Sequence, residues 1–174
     1  MPTKKTVISC ILLGVILLSG CGKNNTSPAI TTTSTSTDAY LQSYQTNIVA
    51  EAKNNTDFRK VLFTGTHSQL VLMSIPPGTE IGDEVHKVAE QTLIFVSGSG
   101  EAILNGVTTS ITAGDVAVVT PGTEHNFINT GRVPLQLYTI YAPPNHIAGT
   151  TEKTKADADA NVADEAYGNQ VTVK

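Results

Sequence analysis

The chain has 174 residues, a formal net charge of −4, no tryptophan and two cysteines. That length carries one ordinary core, and the acid excess without a basic patch or basic–aromatic interleaving excludes a typical nucleic-acid binder. One of the two cysteines lies in an apolar leader, which excludes a disulfide framework, and the scarcity of aromatic residues argues against a stacking platform for sugars.

In Met1–Cys21, Lys4 and Lys5 precede an apolar run, Val7–Leu18, which closes on Leu18-Ser19-Gly20-Cys21. A run this short with small residues at its end reads as a signal peptide over residues 1–20, against the alternative of an uncleaved anchor. Its Leu-Ser-Gly-Cys ending resembles the bacterial lipoprotein signal. The resemblance implies that Cys21 is acylated and becomes the first mature residue, and that Cys10 leaves with the leader. The expected location is the bacterial cell envelope, lipid-anchored to a membrane with the domain outside the cytoplasm. Residues 21–37, rich in Ser, Thr and Asn, read as a flexible tether. Within residues 38–56, Leu41, Tyr44, Ile48 and Ala52 recur at helical spacing after Asp38, which predicts an amphipathic helix over Asp38–Lys53 and then a connection.

From Phe58 the pattern changes to short apolar runs with turn punctuation. Phe58–Thr64, Gln69–Ile75, Leu93–Ser97, Glu101–Leu104, Val107–Thr112, Asp115–Val119, His125–Asn129 and Pro134–Tyr141 read as strands. Asn105-Gly106 is a two-residue hairpin signal. Such a series without a long intervening helix predicts an antiparallel all-β domain over residues 57–147. Residues 148–174 are polar. Asp157, Asp159 and Asn161 begin like a calcium loop, but Val162 stands where Gly is needed and Gly168 where Glu is needed. Thr154–Glu165 therefore reads as a solvated segment or a weak helix, and Tyr167–Lys174 as a disordered end.

Two stretches concentrate polar residues of site-forming type. Gly78–Gly98 holds Glu84 and His86, two apart and so on one face of a strand, followed by Gln91. Gly114–Asn129 holds His125 after a Pro-Gly turn. The first resembles the cupin motif Gly, five residues, His, one residue, His, four residues, Glu, six residues, Gly. Its spacing is kept, with Glu84 in the first His position and Gln91 in the Glu position. The second resembles the partner motif through Gly114, Thr120 in the Pro position, Gly122, His125 and Asn129. The resemblance spans roughly Phe58–Ala142. It implies a single-domain cupin jelly-roll (double-stranded β-helix) barrel, flanked here by a short N-terminal helix and a polar C-terminal tail.

Cupins hold a metal on three His and one Glu, so the resemblance implies a divalent metal (Mn, Fe, Ni or Zn) on Glu84, His86, Gln91 and His125. Two His and one carboxylate are also the composition of an oxygen-activating iron site with open positions, and Gln91 would add a weaker carbonyl oxygen. The bland alternative is a hydrogen-bonded polar cluster in an apolar barrel. Around this set, Glu90 falls on the opposite face by strand parity. His67 reads as a loop or core residue, and His146 could reach the barrel mouth. One of Tyr138 and Tyr141 lines the interior. No nucleophile elbow, phosphate loop or mature thiol is present. The expected function is that of a membrane-anchored cupin-domain lipoprotein binding a divalent metal in the barrel, with metal-dependent catalysis on a small molecule, of oxygenase or sugar isomerase/epimerase type, left open. The alternatives are a non-catalytic ligand- or metal-binding module and a structural, dimerising barrel. Expected partners are a membrane through the lipid anchor, a small-molecule ligand and a second copy of the chain as a homodimer.

Overall fold

A computed structural model describes residues 43–172. The expected signal peptide with Cys21, the expected tether over residues 21–37, residues 38–42 and residues 173–174 lie outside the described residues. Among the described residues, the helix expected over Asp38–Lys53 begins at Ile48: α1 is Ile48–Asn54, with Asn47 as its N-cap accepting from Ala50 N. A side chain that satisfies an orphan amide sets a helix start more firmly than apolar spacing does. Tyr44, counted in that spacing, instead stacks on Phe63 with ring centroids 5.2 Å apart.

Ten strands follow among the described residues: β1 Arg59–Thr64, β2 Gln69–Ile75, β3 Glu84–Val85, β4 Glu90–Ser97, β5 Ser99–Leu104, β6 Val107–Thr112, β7 Val116–Val119, β8 Glu124–Ile128, β9 Leu135–Ala142 and β10 Thr151–Glu152. All strand pairings are antiparallel, in a six-stranded sheet ordered β10-β1-β2-β9-β4-β7 and a four-stranded sheet ordered β3-β8-β5-β6. Asn105 and Gly106 both have positive φ, as a primed hairpin turn between β5 and β6 requires. This is the all-β jelly-roll architecture that the sequence predicts.

Strand alternation builds the core. On β9, Leu135, Leu137, Thr139 and Tyr141 are buried, while the residues between them are half-buried or exposed. Met73, Leu93, Phe95 and Leu137 belong to the same buried cluster as Ala102, Ile111 and Phe127 of the smaller sheet. Strand β2 is buried almost throughout because α1 covers its outer face through Ala52 and Leu72. At Gly100 a Cβ would lie 2.1 Å from Ile128 O, so the β5–β8 contact admits only glycine.

In the C-terminal stretch the helical alternative is the one observed, and the order runs on past Tyr167, in place of the expected disordered end. The stretch adds β10 to the edge of β1, then α2 Lys155–Asp159 and α3 Val162–Asn169. Electrostatics fasten it. Arg59 Nε donates to Glu152 at 2.9 Å, and Arg59 Nη2 reaches Asp164 at 3.1 Å. Both carboxylates are buried. Gln69, also buried, accepts from the backbone N–H groups of Asn145 and His146 and donates to His146 O. Among the described residues no helix is long and apolar enough to cross a membrane.

Removing one partner of a buried charge cluster leaves the others unneutralised. Arg59→Met should therefore cost about 3–5 kcal/mol in urea unfolding. Hydrogen exchange checks the locus: amides of α3 should lose far more protection than those of β9. Equal loss in both would show that Arg59 does not fasten this segment.

Candidate metal centre

Strand β3 is only two residues long, yet it sets the site. Glu84 pairs directly with His125 of β8, which places both side chains on the inner face. The loop before Glu84 is pinned by buried Asn126, whose Oδ1 accepts from Gly82 N at 3.0 Å and whose Nδ2 donates to Glu80 at 3.0 Å. His86 follows β3, and its carbonyl accepts from Gly122 N at 2.8 Å, so the Pro121-Gly122 turn carries the pairing one step further. From the other sheet, Gln91 of β4 pairs with Tyr141 of β9.

Glu84, His86 and His125 each bring one donor atom to a group within 4.8 Å of one another. Glu84 Oε2 stands 3.6 Å from His86 Nε2 and 3.8 Å from His125 Nε2. Both nitrogens are buried and lack a hydrogen-bond partner. His125 Nδ1 donates to Thr123 O at 2.9 Å, which leaves the Nε2 lone pair facing Glu84. The Asn145 amide lies against His86 Nδ1 at 3.4 Å. Turned oxygen-first, it takes the Nδ1 proton and frees Nε2 in the same sense. Donors around an ion at about 2.1 Å stand roughly 3.0–3.4 Å apart, so a small inward movement closes this set. The residues fit a divalent ion.

Gln91 is buried, its Nε2 donates to Tyr141 Oη at 2.8 Å, and its Oε1 is unpartnered. The other residues weighed from the sequence fall as follows. Glu90 is exposed. His67 is exposed in the loop after β1, away from the centre. Tyr141 is buried, whereas Tyr138 is half-buried beside α1. Asn129 fastens the chain after β8: its Nδ2 donates to Ile75 O and Val133 O, and its Oδ1 accepts from Gly131 N.

Burial governs the protonation states. It raises Glu84 to about 7, only partly offset by the charges of Arg59 and Lys155. It lowers His86 to about 4, assisted by His125 and His146 and opposed by the neighbouring Gln91 side chain. Burial likewise lowers His125, against the bond to Thr123, and raises Tyr141, which stays a neutral phenol. At neutral pH the imidazoles are uncharged, as metal ligands must be.

A cavity of about 540 Å³ opens over the centre, lined in part by Arg59, Glu84, His86, Tyr141, Asn145 and His146, and by residues of α2 and α3. His146, weighed in sequence only as a residue near the barrel mouth, is buried there. Its Nδ1 is 2.6 Å from Asp164 Oδ2. Asp164 and Arg59 carried no sequence signal.

A jelly-roll barrel with a Glu-His-His cluster between its sheets defines the class. The family profile described as a cupin domain matches residues 71–141, and the chain belongs to the cupin family. The protein YrkC of Bacillus subtilis is 45% identical over 120 residues, covering 66% of this chain and 64% of that protein. The chain thus spans under two thirds of that relative. Protein L612 of Acanthamoeba polyphaga mimivirus is 36% identical over 112 residues, covering 62% of this chain and 70% of that one. The crystal structure of BH2720 from Bacillus halodurans superposes with a TM-score of 0.68 at 39% identity, covering 68% of this chain and 95% of that one.

Metal binding should release one proton below neutrality. Glu84 is protonated below about pH 7 and must give up its proton, whereas His86 is already neutral above about pH 5. The apparent affinity for Zn(II) should therefore rise about tenfold per unit between about pH 5 and 7 and flatten above. Calorimetry in two buffers of different ionisation enthalpy reads the proton directly. A flat profile across that interval would remove Glu84 from the ligand set.

Proposed function

We propose that this cupin binds one divalent metal on Glu84, His86 and His125, with Gln91 Oε1 as a weaker neutral donor, and that it captures a small oxygen-bearing molecule in the cavity above. The observation that carries this reading is the pair of buried, partnerless Nε2 atoms facing one carboxylate oxygen. Burying such atoms without a partner costs about 1–3 kcal/mol each, and a shared ion removes that cost. Two imidazoles and one carboxylate suit Fe(II), Mn(II), Ni(II) or Zn(II) and leave positions open to a ligand.

When bound, the ion supplies Lewis-acid polarisation of a ligand oxygen. The chain's own residues supply the rest. Thr123 O fixes the His125 tautomer. Tyr141 Oη accepts from Gln91 Nε2 and therefore turns its own proton elsewhere, available to a ligand as a neutral donor. The apolar wall of Phe95 and Phe127, with centroids 5.7 Å apart, keeps water from the barrel floor. Metal-dependent turnover of oxygenase or isomerase type and capture without turnover both begin from this binding step. The leader Met1–Cys21 supports attachment through an acylated Cys21 at a bacterial membrane.

Elemental analysis of the purified protein, reconstituted in turn with Mn(II), Fe(II), Ni(II) and Zn(II), should find about one ion per chain. Glu84→Ala and His125→Ala should each lose it, and Gln91→Ala should hold it about 10–100-fold more weakly. Wild-type protein that takes up none of the four ions would end the metal reading. Independently, Cys21→Ser should move the protein from the membrane fraction to the soluble one.

A further inference from the structure

His146 has no part in the metal set, yet it is built as though it had a task. It is 5% exposed and lines the same cavity as Glu84 and His86. Its backbone is held by Gln69 on both its N–H and its carbonyl side. Its ring meets the Tyr141 ring edge-on, centroids 4.9 Å apart, and Tyr141 in turn lies 5.5 Å from His86. Nδ1 donates to Asp164 at 2.6 Å, and Asp164 is fixed by Ile147 N at 2.7 Å and Arg59 at 3.1 Å. Burial alone would raise the Asp164 carboxyl, but the His146 hydrogen bond, the Ile147 amide and Arg59 together hold it below the usual range. The carboxylate is thus ionised and the imidazole carries its proton on Nδ1. The other nitrogen, Nε2, is buried without any partner.

A histidine kept only to fasten the C-terminal segment would need Nδ1 alone. A buried acceptor with nothing to accept is a costly feature in a network otherwise fully paired. We propose that His146 Nε2 accepts a hydrogen bond from a hydroxyl of the molecule bound in the cavity, and that this molecule is a small hydroxy acid whose carboxylate faces the metal. The second half rests on the metal reading above. One carboxylate and two neutral imidazoles leave a divalent ion with one uncompensated positive charge, which a single carboxylate neutralises. Ring centroids 5.5 Å apart for His86 and Tyr141, and 4.9 Å apart for Tyr141 and His146, place the imidazole beside the metal set on one cavity wall, within reach of a small molecule. Asp164 acts through His146 as a positioning residue.

Glycolate and methoxyacetate test this on the full chain, with metal content measured in the same samples. Both carry one carboxylate, but methoxyacetate has no O–H to donate. Wild-type protein should bind glycolate about tenfold more tightly, the worth of one hydrogen bond. His146→Asn keeps a donor toward Asp164 near the Nδ1 position and removes Nε2. It should bring the two affinities to within about twofold while the metal content stays unchanged. Nitrogen NMR of the wild-type protein covers the case in which this variant does not fold. There the His146 Nε2 resonance should move toward the hydrogen-bonded range with glycolate and stay in place with methoxyacetate. Equal wild-type affinity for the two probes, or a preference that survives His146→Asn, overturns the proposal. A preference that depends on His146 in a chain holding no metal keeps the hydroxyl contact and overturns the carboxylate–metal half. Full metal occupancy with no glycolate preference keeps the metal centre and overturns the hydroxyl contact.

Discussion

Inside a barrel closed to water, each polar atom has to be matched, because an unmade hydrogen bond there costs about 1–3 kcal/mol. This protein matches them thoroughly outside one region. Asn129 uses both its amide nitrogen and its oxygen, Asn126 binds three partners, and Gln69 locks the backbone of residues 145 and 146. The unmatched buried atoms among the described residues are His86 Nε2, His125 Nε2, Gln91 Oε1, His146 Nε2 and Thr139 Oγ1. Four of these five belong to the centre or to its cavity wall. Thr139 aside, the open side-chain atoms thus gather at one place in the barrel, where the Glu84, His86 and His125 donors meet.

What holds the open atoms in place is register. Because side chains alternate along a strand, a slip of β3 by one residue against β8, which β5 also holds in register, would send Glu84 to the outer surface and away from His125. The two residues of β3 are too few to fix register alone. The loop contacts of Asn126 before them and the His86–Gly122 backbone bond after them supply the remainder. On the facing sheet, Gln91 is fixed by β9 on one side and β7 on the other. The centre therefore sits between two independently registered surfaces. The smaller sheet carries the charged and imidazole donors. The larger carries the amide and the phenol that face them.

Most of the strands are legible in the sequence because local signals specify them. Gln69–Ile75 and Val107–Thr112 appear at their expected bounds, and others shift by one to three residues. Alternation and the Asn105-Gly106 turn are short-range signals that the barrel does not override. The start of α1 was less legible, since helical spacing of Leu41 and Tyr44 says nothing about which amide finds a cap. The C-terminal segment was least legible. Its anchors join residues far apart in the chain, Arg59 to Glu152 at 93 positions and Arg59 to Asp164 beyond that, and no periodicity records a salt bridge. The convergence of Glu84, His86 and His125 followed from strand parity and motif spacing. The pairing of His146 with Asp164 did not, because Asp164 sits in a helix whose only mark in the sequence is polarity.

That unread segment changes how the cavity works. Helices α2 and α3 line the opening over Glu84 and His86, and Asp164, on α3, is also the group that orients His146. The same carboxylate is tied to Arg59 on the first strand of the barrel. Docking of the C-terminal segment and orientation of the His146 ring are thus a single electrostatic event. A chain that lost the segment would keep its Glu-His-His cluster, because β3 and β8 do not depend on it. It would lose the cavity wall and the carboxylate that fixes the His146 proton. The Glu-His-His cluster and the wall of the cavity above it thus rest on separate parts of the fold, the first on the register of the small sheet and the second on a polar segment fastened to the barrel by strand pairing, the Gln69 hydrogen bonds and the Arg59 ion pairs.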